Sequence, residues 1–123
     1  MREELAPLGI KVTVVEPGYF RTGFLNAGAQ VSSQKRIKAY DDTVVGQVRA
    51  GLEKMNNNQP GDVVKGVKVI LDILTESGVA EGKEVPMRVP LGSDCVPYIR
   101  SKLEETESLL KEWEAVTTNT DHA

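Results

Sequence analysis

Residues 17–24 read Pro-Gly-Tyr-Phe-Arg-Thr-Gly-Phe and follow directly on the apolar run Val12–Val15. These residue types suit a lip around a planar ligand. Gly18 has no Cβ, so its backbone can approach a flat ring closely. The Thr22 hydroxyl can bond a ligand, or it can cap a local helical turn in a plain strand-ending loop. Phe20 and Phe24 can face a substrate, or they can anchor the loop in the core. Arg21 either reaches a phosphate or stays solvated.

The rest of the chemical inventory is sparse. His122 is the only histidine, which excludes a His-based catalytic pair and a multi-His metal site. Cys95 is the only cysteine, so no disulfide can form within the chain, and a reducing compartment fits. The formal net charge of −3 supplies no basic field for nucleic acid or an anionic membrane. No apolar run approaches the ~20 residues that a spanning helix needs. The opening residues MREELAPLG contain no apolar signal region. The expectation is a cytoplasmic or other reducing, aqueous location, with no metal.

The elements that must position the loop are these. MREELAPLG reads as the last turns of a helix, with Gly9 as a left-handed cap and no N-cap residue ahead of it. IKVTVVE is a short strand over Ile10–Val15 with few polar positions, the pattern of a strand buried on both faces of a parallel sheet. Pro17 ends it. Residues 23–40 are irregular and lid-like, as long loops in compact domains often are. A helix runs from about Asp41 to Met55, with Val44, Val45, Val48, Leu52 and Met55 on one face. Asp62 caps a second helix, whose stripe is Val63, Val64, Val67, Ile70, Leu71 and Leu74, and Gly78 stops it. In GKEVPMRVPLG, Pro86 and Pro90 restrict any strand to a sheet edge. Ser93 or Asp94 caps a last helix carrying Val96, Ile99, Leu103, Leu110 and Trp113. Residues 117–123 read as a disordered tail.

This inventory is unbalanced: three to four helices accompany about two strands, some seventy residues apart. A parallel strand needs neighbours on both edges and helices on both faces. The fold class expected is therefore α/β, the incomplete C-terminal part of a larger doubly wound parallel sheet, spanning residues 1–116.

REELAPLGIKVTVVEPGYFRT resembles the C-terminal half of classical short-chain dehydrogenases/reductases, which bind NAD or NADP on a Rossmann fold. In that family the sixth strand ends in Pro-Gly, matched by Pro17-Gly18, and a Thr follows four residues later, matched by Thr22. NQPGDVVKGVKVILDIL and VPMRVPLGSDCVPYIRSKLE are similar to the family's last two helices and last strand. The resemblance implies that Pro17, Gly18 and Tyr19 line the nicotinamide. It implies that Thr22 bonds the carboxamide or the phosphates, and that Phe20 and Phe24 sit beside the substrate. Ligands in open α/β sheets bind beyond the carboxyl ends of the strands, which is where this loop lies.

The family's other motifs are not in this sequence. No Gly-x-x-x-Gly-x-Gly turn occurs. Gly78–Lys83 follows a helix and has no Ser or Thr after the Lys, so it reads as a charged turn. The family's Ser and Tyr-x-x-x-Lys catalytic set precedes the Pro-Gly strand. The literal match Tyr98-Ile-Arg-Ser-Lys102 comes about eighty residues after it, on the last helix, and is rejected as catalytic. No catalytic residue is assigned. The expectation is a C-terminal fragment, from a truncated gene model or internal initiation. It would be inactive alone and come from an NAD(P)-dependent oxidoreductase of carbonyl or alcohol substrates.

Two other readings stay open. One is a non-catalytic binding or regulatory protein that pairs through its amphipathic helices. The other is an unrelated small α-rich domain. The family often assembles through its last helices, which makes Val96–Trp113 a candidate homo-oligomer surface as well as a candidate core face.

Overall fold

The computed structural model describes residues 1–31 and 33–122. Strand β1 (Val14–Pro17) and strand β2 (Arg88–Leu91) pair in parallel, Val14 opposite Arg88 and Pro17 opposite Leu91. The N–H groups of Val14 and Gly18 donate to the carbonyls of Met87 and Leu91 at 3.0 and 2.8 Å. Parallel ladders bond alternate residues to one neighbour. Pro90 falls on the phase that faces away from β1, so its missing N–H costs the ladder nothing. The strand candidate around Pro86 and Pro90 is thus an edge strand, as its prolines require.

The first strand is shifted from its expected Ile10–Val15. Residues 10–13 lie outside the ladder, because the pairing with β2 begins only at Val14 and Met87. Of the two neighbours that a central parallel strand needs, β1 has one among the described residues, on a single edge. Ahead of it, α1 (Arg2–Leu5) and the turn Ala6–Leu8 end on Gly9, whose φ of 72° is the left-handed cap expected there.

The crossover between the strands carries two helices. Helix α2 (Val44–Met55) starts later than the expected Asp41, because Thr43 caps it: its hydroxyl accepts from Val45 N at 3.3 Å. Helix α3 (Val63–Leu74) starts where its sequence indicates, with Asp62 Oδ1 accepting from Lys65 N at 3.1 Å. Its end is held by Asp72, a buried carboxylate bonded to Lys68 Nζ at 2.6 Å and to Val79 N at 3.4 Å. Gly78, at φ +53°, passes so close that a Cβ there would lie 2.6 Å from Asp72 Oδ2. Helix α4 (Cys95–Thr117) is the longest and runs one residue into the expected tail. Ala123 lies outside the described residues.

Burial is thin. Among the described residues, Ala80, Val85 and Val89 are the buried hydrophobics. Much of the α2 and α4 stripes stays exposed, Val44 at 70% and Trp113 at 50%, while Leu52, Met55 and Ile99 are half-buried. The accessible surface is 10340 Å², whereas a compact monomer of 13.4 kDa exposes about 6,500 Å². No helix among the described residues is long and apolar enough to cross a membrane.

Candidate functional site

The loop after β1 leaves the sheet at Pro17 and crosses toward the start of α3. Two backbone bonds hold it there: Gly61 N donates to Tyr19 O at 3.0 Å, and Arg21 N donates to Gly61 O at 2.9 Å. The Phe20 ring lies on two glycines. A Cβ on Gly66 would sit 2.5 Å from Phe20 Cε1, and one on Gly61 would sit 2.7 Å from Phe20 Cδ1. Phe20 thus anchors the loop on α3, and it also lines a cleft. Phe24 is the reverse case, 77% exposed at the rim. Thr22 caps the turn Gly23–Leu25 by accepting from Phe24 N at 3.2 Å. That bond uses a lone pair and leaves the hydroxyl proton to donate. Arg21 donates to the carbonyl of Gln59 at 3.3 Å, so its guanidinium tethers backbone.

These residues share one open cleft of about 520 Å³. Pro17, Gly18, Tyr19, Phe20, Thr22 and Phe24 all line it, with Val63, Val67 and Ile70 of α3 forming a wall and Leu91 of β2 beside the loop. No charged side chain is among its lining residues. The cleft can therefore take a flat, neutral, mainly apolar group with one or two polar handles. Gln59, 2% exposed, also lines it, and its amide oxygen has no partner among the described residues. In the sequence this residue stands only in the Asn58-Gln59-Pro60-Gly61 connection ahead of the Asp62 cap.

Gly18 is crowded from a direction that its sequence does not indicate. A Cβ there would lie 2.1 Å from Asp94 Oδ1, and Asp94 Oδ2 accepts from Tyr19 N at 2.7 Å. The glycine is thus required by a carboxylate that arrives from the loop after β2.

No protein-family profile matches the chain. It is 30% identical over 113 residues to the oxidoreductase BOA17 of Botryotinia fuckeliana (strain B05.10), an alignment covering 92% of this chain and 38% of that protein. The crystal structure of a short-chain dehydrogenase from Streptomyces avermitilis superimposes with a TM-score of 0.73 at 33% identity, over 98% of this chain and 40% of that one. The chain has the fold of the C-terminal portion of a short-chain dehydrogenase/reductase. It spans about 40% of the length of these relatives.

Within this dehydrogenase-like part, the two decoy motifs stand apart from the cleft. Tyr98 is 65% exposed on α4, and Lys102 Nζ bonds Glu105 Oε2 at 2.5 Å. That bond holds the lysine above its ordinary pKa. Gly78–Ala80 is a short turn and Gly82 has φ +74°, the local geometry of a charged turn. The ion pairs are scaffold. Arg88 clasps Glu16 beside the sheet and is held more basic by that bond. Lys11 holds the Glu76 carboxyl below the usual carboxylate range. No group of His, Cys, Asp or Glu among the described residues is arranged to hold a metal ion.

Proposed function

We propose that this chain supplies the nicotinamide-side loop and the substrate lid of an NAD(P)-dependent short-chain oxidoreductase that interconverts carbonyls and alcohols. One observation carries the reading: the residues matching the family's Pro-Gly-x-x-x-Thr pattern line a single uncharged cleft at the carboxyl end of β1. The fit to a dinucleotide is one-ended. The cleft suits a neutral ring and a carboxamide, whereas a pyrophosphate needs a Gly-rich helix start or cations, and neither is among its lining residues.

When bound, the nicotinamide supplies or accepts the hydride. This chain's residues do the holding. Pro17 and Tyr19 flank the ring, and the Thr22 hydroxyl donates to the carboxamide. Phe20 fixes the loop on α3, and Phe24 with residues 25–31 and 33–40 closes over the substrate. The proton donor is assigned to residues outside this sequence, so turnover by the chain alone is not expected.

Saturation-transfer NMR of NADH with the chain tests the reading. Saturation is expected on the nicotinamide ring protons and much less on the adenine. Thr22→Val should weaken the effect about fivefold to tenfold, the value of one lost hydrogen bond. Saturation led by the adenine, or none, would sink the proposal.

The exposed stripes of α2 and α4 support a second reading, a module that pairs through these helices. Sedimentation of the chain distinguishes the two: a monodisperse monomer at micromolar concentration speaks against pairing with itself.

A further inference from the structure

We propose that Asp94 is a positioning residue for the Pro17-Gly18-Tyr19 loop, setting the backbone against which the nicotinamide rests. This role rests on the cofactor reading above. Asp94 occupies the N-cap of α4, where a carboxylate ordinarily accepts from the first free N–H groups of the helix. It makes no such bond. Its Oδ2 turns instead to Tyr19 N, 75 residues away in sequence, at 2.7 Å. That is a short, charge-assisted hydrogen bond, stronger than a neutral one.

Two glycines make room for the carboxylate. A Cβ on Gly18 would lie 2.1 Å from Oδ1, and a Cβ on Gly92 would lie 2.7 Å from the same oxygen. Gly92 also holds φ +122°, which side-chain-bearing residues rarely adopt. Residues on both sides of the carboxylate are thus kept small, while α4 goes without its cap. The Tyr19 carbonyl is meanwhile bonded by Gly61 N at 3.0 Å. Tyr19 is therefore fixed through its N–H by the loop after β2 and through its C=O by the segment before α3. Its side chain and the Thr22 hydroxyl three residues on are presented from a clamped backbone, and the Tyr19 N–H is not available to a ligand. Asp94 does not line the cleft, so it acts through the loop.

The test uses the full chain with Asp94→Ala, Asp94→Asn, Gly18→Ala and the double substitution Gly18→Ala/Asp94→Ala. The readouts are deuterium exchange at the Tyr19 amide and NADH affinity by titration. Asp94→Ala should speed Tyr19 exchange and weaken NADH by about tenfold, the worth of a hydrogen bond to a charged acceptor. Asp94→Asn keeps a carbonyl acceptor and should restore both to within about threefold. Gly18→Ala should be the worst single change, and adding Asp94→Ala should partly rescue it, because the methyl group then has room. Unchanged Tyr19 exchange in Asp94→Ala, unchanged NADH affinity with faster exchange, or strictly additive losses in the double variant would each overturn the proposal. Failure of the unsubstituted chain to bind NADH would remove the cofactor reading and this role with it. That failure is distinguishable because it appears before any substitution is made.

Discussion

A methyl group added to Gly66 would enter the Phe20 ring at 2.5 Å, near the start of a helix where alanine is otherwise the better residue. Overpacking should win over propensity, and Gly66→Ala is expected to destabilise by about 1–3 kcal/mol in urea titration. Phe20→Ala removes the ring from between the same glycines and should cost about 2 kcal/mol, less than a fully buried phenylalanine because Phe20 is half-buried. Phe24→Ala at the exposed rim should cost under about 0.5 kcal/mol. A larger loss at Phe24 than at Phe20 would reverse the two assignments. The sequence could not make this separation. Both aromatics sit in one loop four residues apart, and what distinguishes them is a pair of glycines some forty residues later. Asp94 was legible as a cap position but not as a tether, since the partner that draws its carboxylate away is Tyr19, brought near only by the sheet. The loop's share of the cleft was legible: Pro17–Phe20 and Thr22 sit together because they are near neighbours at a strand end.

Helix α3 is locked at both ends by carboxylates, and the pH dependence of stability follows from the second lock. The hydrogen bond from Lys68, opposed by burial, holds the Asp72 carboxyl below its ordinary range. Lys11 does the same for Glu76. A carboxyl depressed in the folded state adds stability that is complete above its unfolded pKa and is lost as pH falls through the folded one. The urea midpoint should therefore be level near neutrality and decline below about pH 4.5. Asp72→Asn should remove part of that decline, and an unchanged acid limb in that variant would contradict the lock. At the other end, Asp62→Ala should cost about 1 kcal/mol through the lost cap. Helices were the most legible elements, because a cap and an apolar stripe are local signals. The α2 start slipped from about Asp41 to Val44 because Asp and Thr are both capping types and only the backbone geometry chooses Thr43. Strand β1 slipped because a strand's limits are set by its partner, and β2 meets it only from Val14 onward.

At the scale of the whole molecule, the accessible surface of 10340 Å² exceeds that of a compact chain of its mass by roughly 3,900 Å². One partner in a large obligate interface contributes roughly 2,500 Å². The excess is of the kind left by dividing a domain core, with one-edged β1 and the stripes of α2 and α4 facing outward. Less surface is buried on folding, so the heat-capacity change of unfolding should be about 0.7 of the ordinary value for this length. Calorimetry giving the full ordinary value would mean that the chain closes a core of its own. The unbalanced count of helices and strands already indicated this openness, whereas its size depends on packing that no local pattern encodes. The central claim, that the cleft beyond β1 receives a nicotinamide, is tested most directly in a chimera. In it this chain replaces the matching 40% of the Streptomyces avermitilis short-chain dehydrogenase. Titration with NADH and NADPH should show saturable binding of at least one, weakened about tenfold by Thr22→Val. A chimera that unfolds cooperatively yet binds neither nucleotide would contradict the claim.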